Sequence, residues 1–323
     1  MHALCSFEEG FEEQRTSCTL LISLTRSAPN VLYAHLQHVF ERLFVALRSC
    51  STSDHQKAVT RAFRACLGVL THRDSHLRAR WYCALFDESI VGLAKEESHG
   101  SLCALIELLD VCCQEPNAIG TAALLRAFEL VWGLRDSRQR HVRMTILTLL
   151  PRFAAAAPDA VAGAWLPRIS SHLLGALQAG NDQRSVAFLV LGRTAAALGA
   201  SFDEYVGALM RECHEALPSA PPASKRQNGR TVGPTCFEAL DCIGMLAESH
   251  GALLTKHVLE ILPCMFASGM SHSLARTLCA ISRNVPGLQS QLQERVLDLV
   301  CAVLTSSASF AEWARDASVG STH

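Results

Sequence analysis

The motif with the clearest chemical meaning is His72-Arg73-Asp74, which spells the triplet that carries the catalytic base of protein kinases. In that loop a Mg²⁺-binding asparagine follows the aspartate by five residues, but position 79 here is alanine. The sequence also lacks a glycine-rich phosphate loop and an Asp-Phe-Gly triplet. We therefore interpret the triplet as a polar turn between two helices.

Two histidine pairs have spacings that could place both imidazoles on one face of a helix, as a metal site requires. These are His35 with His38 and His72 with His76, and neither pair has a third ligand nearby in the sequence. We interpret them as exposed or turn histidines. No nucleophile elbow accompanies the serines, so the sequence predicts no catalytic, cofactor-binding or metal-binding residue in this chain.

Two clusters of basic residues are candidates for contacts with a protein partner. The candidate contacts are Arg138, Arg140, Arg143, Lys225 and Arg226. The three arginines lie with Arg135 at the turn into a helix, where they could bind acidic segments or form ion pairs between repeats. The other two lie in a proline-rich loop, where a docking or nuclear-localisation patch and simple solvation are the alternatives.

The stretch from residue 138 to residue 217 predicts the helices that would position these residues. Its first helix carries two apolar lines at offsets of three and four: Met144, Leu147, Leu150 and Ala154, and Ile146, Leu149 and Phe153. Such a helix must be covered on two sides, which an isolated hairpin cannot do. Leu189, in the next hairpin, is likewise predicted to be buried between neighbours. Two successive hairpins predict a solenoid.

Proline and capping signals divide the chain into such hairpins. We predict helix ends at Pro29-Asn30 and Pro158-Asp159, and N-caps at Ser53-Asp54, at Asn181-Asp182 and at Ser201, which has capping-box spacing to Glu204. The repeats start near residues 16, 54, 98, 137, 181, 234 and 270. This spacing of roughly 40 residues is typical of HEAT or armadillo repeats.

The predicted fold is an all-α, HEAT-repeat (armadillo-like) α-solenoid of about seven helical hairpins over residues 1–304. Within it, residues 218–233 are expected to form a proline-rich basic loop. Residues 305–323 are small and polar, and we expect them to be a disordered tail.

The composition indicates a folded chain without an electrostatic footprint for nucleic acid. Of 323 residues, 49% are hydrophobic and 18% charged, and the net charge is -1. The 14 cysteines are scattered, with Cys66, Cys103, Cys242 and Cys279 on apolar helical faces, which favours small buried hydrophobes in a reducing compartment. We find no signal peptide and no apolar run near the roughly 18 residues of a membrane span. These features predict a soluble, intracellular protein.

A resemblance to a known family rests on several short segments in a fixed order. They are Arg64-Ala65-Cys66-Leu67, Trp81-Tyr82, the stretch from Met144 to Arg152, Ala216-Leu217-Pro218 followed by Lys225-Arg226-Gln227, and Met245-Leu246-Ala247. Together they resemble the N-terminal HEAT solenoid of the target-of-rapamycin (TOR) serine/threonine kinases, of the PI3K-related kinase family. The similarity extends from about Val31 to Leu304.

The resemblance implies a scaffold segment in nutrient and growth signalling. In that family the N-terminal solenoid docks Raptor-type or Rictor-type subunits and helps to build a dimeric complex. It implies no cofactor here, because ATP and Mg²⁺ belong to a kinase domain further along the family's chain. It also implies a cytoplasmic location, with the nucleus or endomembranes reached through partners.

Two departures from the family leave alternatives open. The chain has only a few residues where the family often carries a long loop, between Leu109 and Leu124, and it stops before the later HEAT repeats, the FAT region, the rapamycin-binding segment and the kinase. We therefore expect a fragment, a truncated gene model or a separate short product, and enzyme activity is left open. The alternative function is a stand-alone HEAT adaptor, such as a phosphatase scaffold or transport receptor.

Overall fold

The computed structural model describes residues 11–50, 52–95, 98–115, 118–178, 183–218 and 236–305, which form helices and turns and contain no β-strand. Residues 219–235, the tail from residue 306, and the predicted cap at Asn181-Asp182 lie outside these ranges. The chain divides into two compact units, Met1–Ala157 and Pro158–His323. Each unit is described separately below.

The described helices divide between the two units in chain order. In the first unit they are α1 (Phe11–Ser27), α2 (Pro29–Tyr33), α3 (Leu36–Ser49), α4 (Ser53–Leu70), α5 (Ser75–Lys95), α6 (His99–Gln114), α7 (Thr121–Gly133) and α8 (Arg140–Ala156). In the second unit they are α9 (Pro158–Ala164), α10 (Leu166–Gln178), α11 (Arg184–Leu198), α12 (Asp203–Ala216), α13 (Phe237–Ala267), α14 (His272–Asn284) and α15 (Gln289–Thr305). Helix α13 is kinked at His250, and its two arms correspond to the hairpin predicted between the repeat starts near residues 234 and 270.

Helix α8 shows why the hairpins must stack. Its buried residues include Leu147, Leu150 and Ala154 from one predicted line, and Ile146, Leu149 and Phe153 from the other. The apolar side chains on the two lines of such a helix are removed from water only when neighbouring helices cover both lines. The two-sided pattern predicted from the sequence is therefore confirmed for α8.

In the first unit the leading helices of successive hairpins form a row, in which α1 packs on α4, α4 on α6, and α6 on α8. The core of the first two hairpins is aromatic: Phe63 meets Phe40 and Phe44 edge-on, with ring centroids 5.3 and 5.4 Å apart. Helices α3 and α6 approach closely at Gly100, where a Cβ atom would lie 2.1 Å from the carbonyl oxygen of Leu47. Glycine is therefore required at this crossing.

In the second unit α13 joins its neighbours through buried polar contacts. The hydroxyl of Thr277 on α14 donates to the carbonyl of Leu240 over 2.7 Å. At the kink of α13, His250 has a φ of -129° and its Nε2–H donates to the carbonyl of Gly199 over 2.9 Å. The kink thus fixes α13 against the turn that precedes α12.

The N-cap of α4 lies one residue before the predicted position. The hydroxyl of Thr52 accepts a hydrogen bond from the backbone N–H of His55 over 3.3 Å. Ser53 is then the first helical residue, so the predicted cap at Ser53-Asp54 is wrong by one position. Threonine, serine and aspartate are all good caps, and the sequence pattern does not choose among adjacent ones.

Three joints are more helical than predicted. Pro29 and Pro158 begin α2 and α9, since the fixed φ of proline suits the first helical position. Before α12, residues Gly199–Phe202 form a 3₁₀ segment, and the cap position is Phe202 without a side-chain hydrogen bond. Ser201 therefore lies inside a helical segment, and the predicted capping box is wrong.

Leu189 is half-buried, so its predicted full burial is also wrong. Its neighbours Phe188 and Leu191 on α11 are both 0% exposed. Leu189 lies one turn before the exposed Arg193, and therefore on the outer face of the helix. The charge at position 193 was the sequence signal for this face.

The thirteen described cysteines are all free thiols. Cys66 and Cys242 are buried as predicted, and burial raises the pKa of the Cys66 thiol to about 12. Cys103 is half-buried and Cys279 is exposed, so the predicted burial of Cys279 is wrong. The buried thiols act as small hydrophobic side chains.

Residues 184–216 are the one stretch in the described ranges that passes a length and hydropathy test for a membrane span, with a mean hydropathy of 1.5 in the most apolar window. The structure divides this stretch at Gly199, whose φ is +52°, into α11 and α12, of 15 and 14 residues. Each is shorter than the roughly 20 residues needed to cross a bilayer. We therefore interpret them as packed core helices.

Candidate protein-binding surfaces

The predicted arginine cluster lies at the turn between α7 and α8. The guanidinium of Arg143 donates to the carbonyls of Ser137 and Arg138, at 2.8 and 3.1 Å. Arg135 lies over the ring of Trp132, 5.1 Å from its centroid, and pairs with Asp136 at 3.2 Å. Two arginines of this cluster therefore hold the turn itself.

The remaining members of the cluster face outward. Arg138 and Arg140 are both exposed, the first in the turn and the second at the start of α8. The structure thus brings the three candidate arginines together and gives Arg143 an internal role. Lys225 and Arg226 lie outside the described residues.

A row of ion pairs links the leading helices α4, α6 and α8. Arg64 contacts the carboxylate of Glu107 through two nitrogens, at 2.5 and 2.7 Å, and Glu107 is only 4% exposed. One turn further along α6, the carboxylate of Asp110 accepts a hydrogen bond from Nε of Arg152 on α8 over 2.6 Å. Such two-pronged arginine–carboxylate contacts fix the relative position of helices.

Sequence reasoning anticipated ion pairs between repeats but did not identify these residues. The signal was present in the spacing, because the bonded residues are 43 and 42 positions apart. That separation is about one repeat length. Pairs of opposite charge at the repeat spacing are therefore a usable signature in this chain.

A groove of about 730 Å³ lies between α3 and α5 on the first unit, and sequence reasoning missed it. Its apolar lining includes Phe40, Phe44, Trp81 and Leu85. The ring centroids of Phe40 and Trp81 are 6.0 Å apart, so these two rings are in contact at the floor of the groove. Aromatic and aliphatic walls of this kind are typical of binding sites.

The ends and rims of this groove carry polar residues. Arg73 lies over the ring of Tyr33, 4.1 Å from its centroid, at one end, and Arg48 pairs with Glu88 at the other. Between them, Glu41 stands on the α3 side and Arg80 on the α5 side. The groove therefore has an apolar floor and rims of opposite charge.

The kinase-like triplet has a structural role. The triplet at residues 72–74 is a turn between α4 and α5, as predicted. Arg73 of this turn donates to the side-chain oxygen of Asn30 over 2.7 Å. In the described ranges, no group of three or more His, Cys, Asp or Glu side chains could hold a metal ion.

The fold defines the class of the protein as an all-α HEAT-repeat solenoid. The structure is similar to Kap121p bound to Nup53p, with a TM-score of 0.62 and 14% identity over 94% of this chain and 31% of that one. It is also similar to Kap121p bound to Pho4p, with a TM-score of 0.64, 13% identity, and coverage of 97% and 33%. At such low identity the likeness shows the fold alone.

The sequence identifies the relatives more narrowly. The chain is 30% identical to the serine/threonine-protein kinase TOR of Oryza sativa subsp. japonica over 297 residues, which are 90% of this chain. It is also 30% identical over 301 residues to TOR of Arabidopsis thaliana, and 25% identical over 298 residues to tor1 of Schizosaccharomyces pombe. The resemblance to the N-terminal HEAT-repeat region of TOR kinases is thereby confirmed.

The similarity covers a small part of these relatives. The chain spans 11% of the length of the rice and Arabidopsis kinases and 12% of the fission-yeast kinase. No family model matches the chain. The similarity therefore supports a HEAT scaffold segment of the TOR type.

Proposed function

We propose that this chain is a scaffold segment of a TOR-type kinase that binds a Raptor-type or Rictor-type subunit. The observation that carries the proposal is collinear similarity to TOR kinases over 90% of the chain, together with a HEAT-repeat fold. HEAT solenoids present long rows of helices, which suit extended contacts with proteins. We propose ATP and Mg²⁺ binding only for a kinase domain of the larger assembly.

The candidate contacts remain Arg138, Arg140, Arg143, Lys225 and Arg226. Exposed arginines that meet acidic residues of a partner contribute ion pairs that salt screens over about 8 Å at physiological ionic strength. Recovery of the partner should therefore fall as salt is added. We propose a cytoplasmic location, with nuclear or endomembrane association and contribution to a dimeric complex arising through such partners.

Affinity capture of the tagged chain from host lysate, followed by mass spectrometry, tests the assignment. We expect a Raptor-type or Rictor-type protein among the captured partners. Capture of phosphatase catalytic subunits or transport cargo, with neither of those proteins, would instead support the stand-alone adaptor. The likeness to Kap121p gives the adaptor no further support, because it shows only the fold.

Charge reversal tests the contact residues separately from the assignment. Arg138→Glu with Arg140→Glu, and Lys225→Glu with Arg226→Glu, should each reduce recovery. Arg143→Glu needs a melting-temperature control, because Arg143 holds the turn through two carbonyls. Arg193→Glu, at an exposed arginine of α11, is the matched control. Unchanged recovery in all these variants would discard the contact residues and leave the TOR assignment intact.

A further inference from the structure

We propose that the groove between α3 and α5 binds an amphipathic α-helix of a protein partner, with basic residues along one flank and acidic residues along the other. The proposal rests on the proposed scaffold function and names one surface and one class of occupant for it. It follows from the length, the apolar floor and the rim charges of the groove.

The dimensions of the groove fit a short helix. Along α3 its lining runs from Gln37 to Arg48, which at 1.5 Å per residue is roughly 17 Å, or about three helical turns. Phe40 faces Trp81 and Arg48 faces Glu88, so α3 and α5 run in the same direction along the two walls. A helix laid over the contacting rings would run along α3 and α5.

The apolar surface of the groove continues onto its walls. Val45 on α3 is 52% exposed and Leu77 on α5 is 43% exposed, although both are large hydrophobic residues. Both line the groove above its floor of Phe40 and Phe44, which are each 2% exposed. A helix with apolar side chains at positions i, i+3 or i+4, and i+7 would cover this surface.

The rim charges specify the flanks of the helix. Glu41 has a side chain that is 62% exposed, and its contacts are with Gln37 at 3.2 Å and His38 at 3.9 Å on its own helix. Arg80 is exposed on the opposite rim. Arg48 and Glu88 neutralise each other at the end of the groove. A helix with one basic and one acidic flank can therefore place each flank beside a rim of opposite charge. A helix whose two flanks carry the same charge would be repelled by one of the two rims.

The same features argue against a small polar ligand. Small-molecule sites combine an apolar wall with a few polar groups that converge on one point. Here Glu41 and Arg80 stand on opposite rims, and the deep side chains are aromatic or aliphatic. The groove therefore offers area for side chains in a row and no convergent polar centre.

Fluorescence anisotropy with the full chain tests the groove directly. The probes are three fluorescein-labelled synthetic peptides of 18 residues, each with leucines at helical spacing along one face. Their flanks carry lysine and glutamate, lysine only, or glutamate only. We expect saturable binding, with the mixed-flank peptide about threefold tighter than either of the others, as expected for exposed ion pairs.

Substitutions on the walls should change affinity without unfolding the chain. Val45→Glu and Leu77→Glu place a carboxylate against apolar leucines, and each should weaken the mixed-flank peptide about tenfold or more. Leu253→Glu, at a leucine of α13 that is 50% exposed, is the matched control and should leave binding unchanged. Arg80→Glu makes both rims acidic, so the lysine-only peptide should become the tightest.

Three results would overturn the proposal. They are an absence of saturable binding, equal binding by wild type and Val45→Glu, and a rank order of peptides that Arg80→Glu leaves unchanged. A concentration-dependent dimer that Val45→Glu abolishes would assign the groove to a second copy instead. Peptide binding with no Raptor-type protein captured from lysate would overturn the partner assignment alone, so the two proposals fail separately.

Discussion

Leu191 is a better test of the core than Leu189, because it is 0% exposed and Leu189 is half-buried. We expect Leu191→Ala to lower the free energy of unfolding by about 2–5 kcal/mol, through lost contacts and a cavity. Leu189→Ala should cost much less, since part of that side chain already meets water. Urea unfolding of the two variants checks the difference, and equal midpoints would contradict the assigned faces of α11.

His99 should make the first unit sensitive to acid. Burial, and then the nearby His141, lower the pKa of His99 to about 4, below its ordinary value of 6.5. The two rings are 4.7 Å apart, and His99 Nε2 lies 2.7 Å from the hydroxyl oxygen of Thr145. Thr145 donates its own hydrogen to the carbonyl of His141, so Nε2 carries the proton of a neutral imidazole.

The sign of the effect follows from linkage. Between pH 6.5 and pH 4 the unfolded chain binds a proton at this position and the folded chain does not, so stability falls as the pH falls through that window. Between pH 7 and pH 4.5, the melting temperature of His99→Gln should therefore fall by less than that of wild type. His214→Gln, at an exposed histidine, is the control. An equal fall in melting temperature in His99→Gln and wild type would show that protonation of His99 does not destabilise the folded chain.

At the residue scale, the sequence predicted which types of residue cap helices or form basic clusters, but it did not predict the position or contacts of each one. It placed an N-cap for α4 correctly to within one residue, because the choice between Thr52 and Ser53 depends on backbone geometry. It grouped Arg143 with Arg138 and Arg140, since no pattern shows that the Arg143 guanidinium folds back onto two carbonyls. Side-chain direction is set by the turn that surrounds it.

Among the helices, Gly100 identifies the crossing of α3 and α6 as a close backbone contact. Gly100→Ala should destabilise the chain by about 1–3 kcal/mol, because the added methyl group would meet the carbonyl of Leu47 and force the helices apart. Gly68→Ala, inside α4, is the matched control, since no atom beyond its chain neighbours and its own helix backbone lies within 4 Å of the added Cβ. That change should stabilise by about 0.5–1 kcal/mol. Equal effects in thermal unfolding would contradict the close crossing.

The helices themselves were predictable because the spacing of apolar residues and the positions of prolines and capping residues agree along most of the chain. The two apolar lines of α8 and the spacing of roughly 40 residues between hairpins are both local patterns. A break between residues 234 and 270 was predicted, but the local geometry at His250 was not, because its hydrogen bond to Gly199 joins residues 51 positions apart. The groove between α3 and α5 was missed for a similar reason, since its width depends on how two hairpins pack.

For the whole molecule, the kinase-like triplet at residues 72–74 has a structural role as the joint between α4 and α5. The ring of Tyr33 lies 4.1 Å from the guanidinium of Arg73, which also donates to Asn30. The carbonyl of Asp74 accepts the backbone N–H of Arg78, as the residue before a helix does. Through these contacts the triplet joins α4 to α5. A loop that binds phosphate would instead need backbone N–H groups that are free to donate to the phosphate oxygens.

We therefore expect the 323-residue chain to show no saturable binding of Mg-ATP in isothermal titration calorimetry. Phosphoryl transfer needs a loop that cradles phosphates, a positioned lysine and acidic residues that hold Mg²⁺, and the turn at residues 72–74 supplies a single exposed carboxylate. Asp74→Asn should leave the titration and the melting temperature unchanged. Saturable nucleotide binding that Asp74→Asn abolishes would contradict this view and give the triplet a catalytic role.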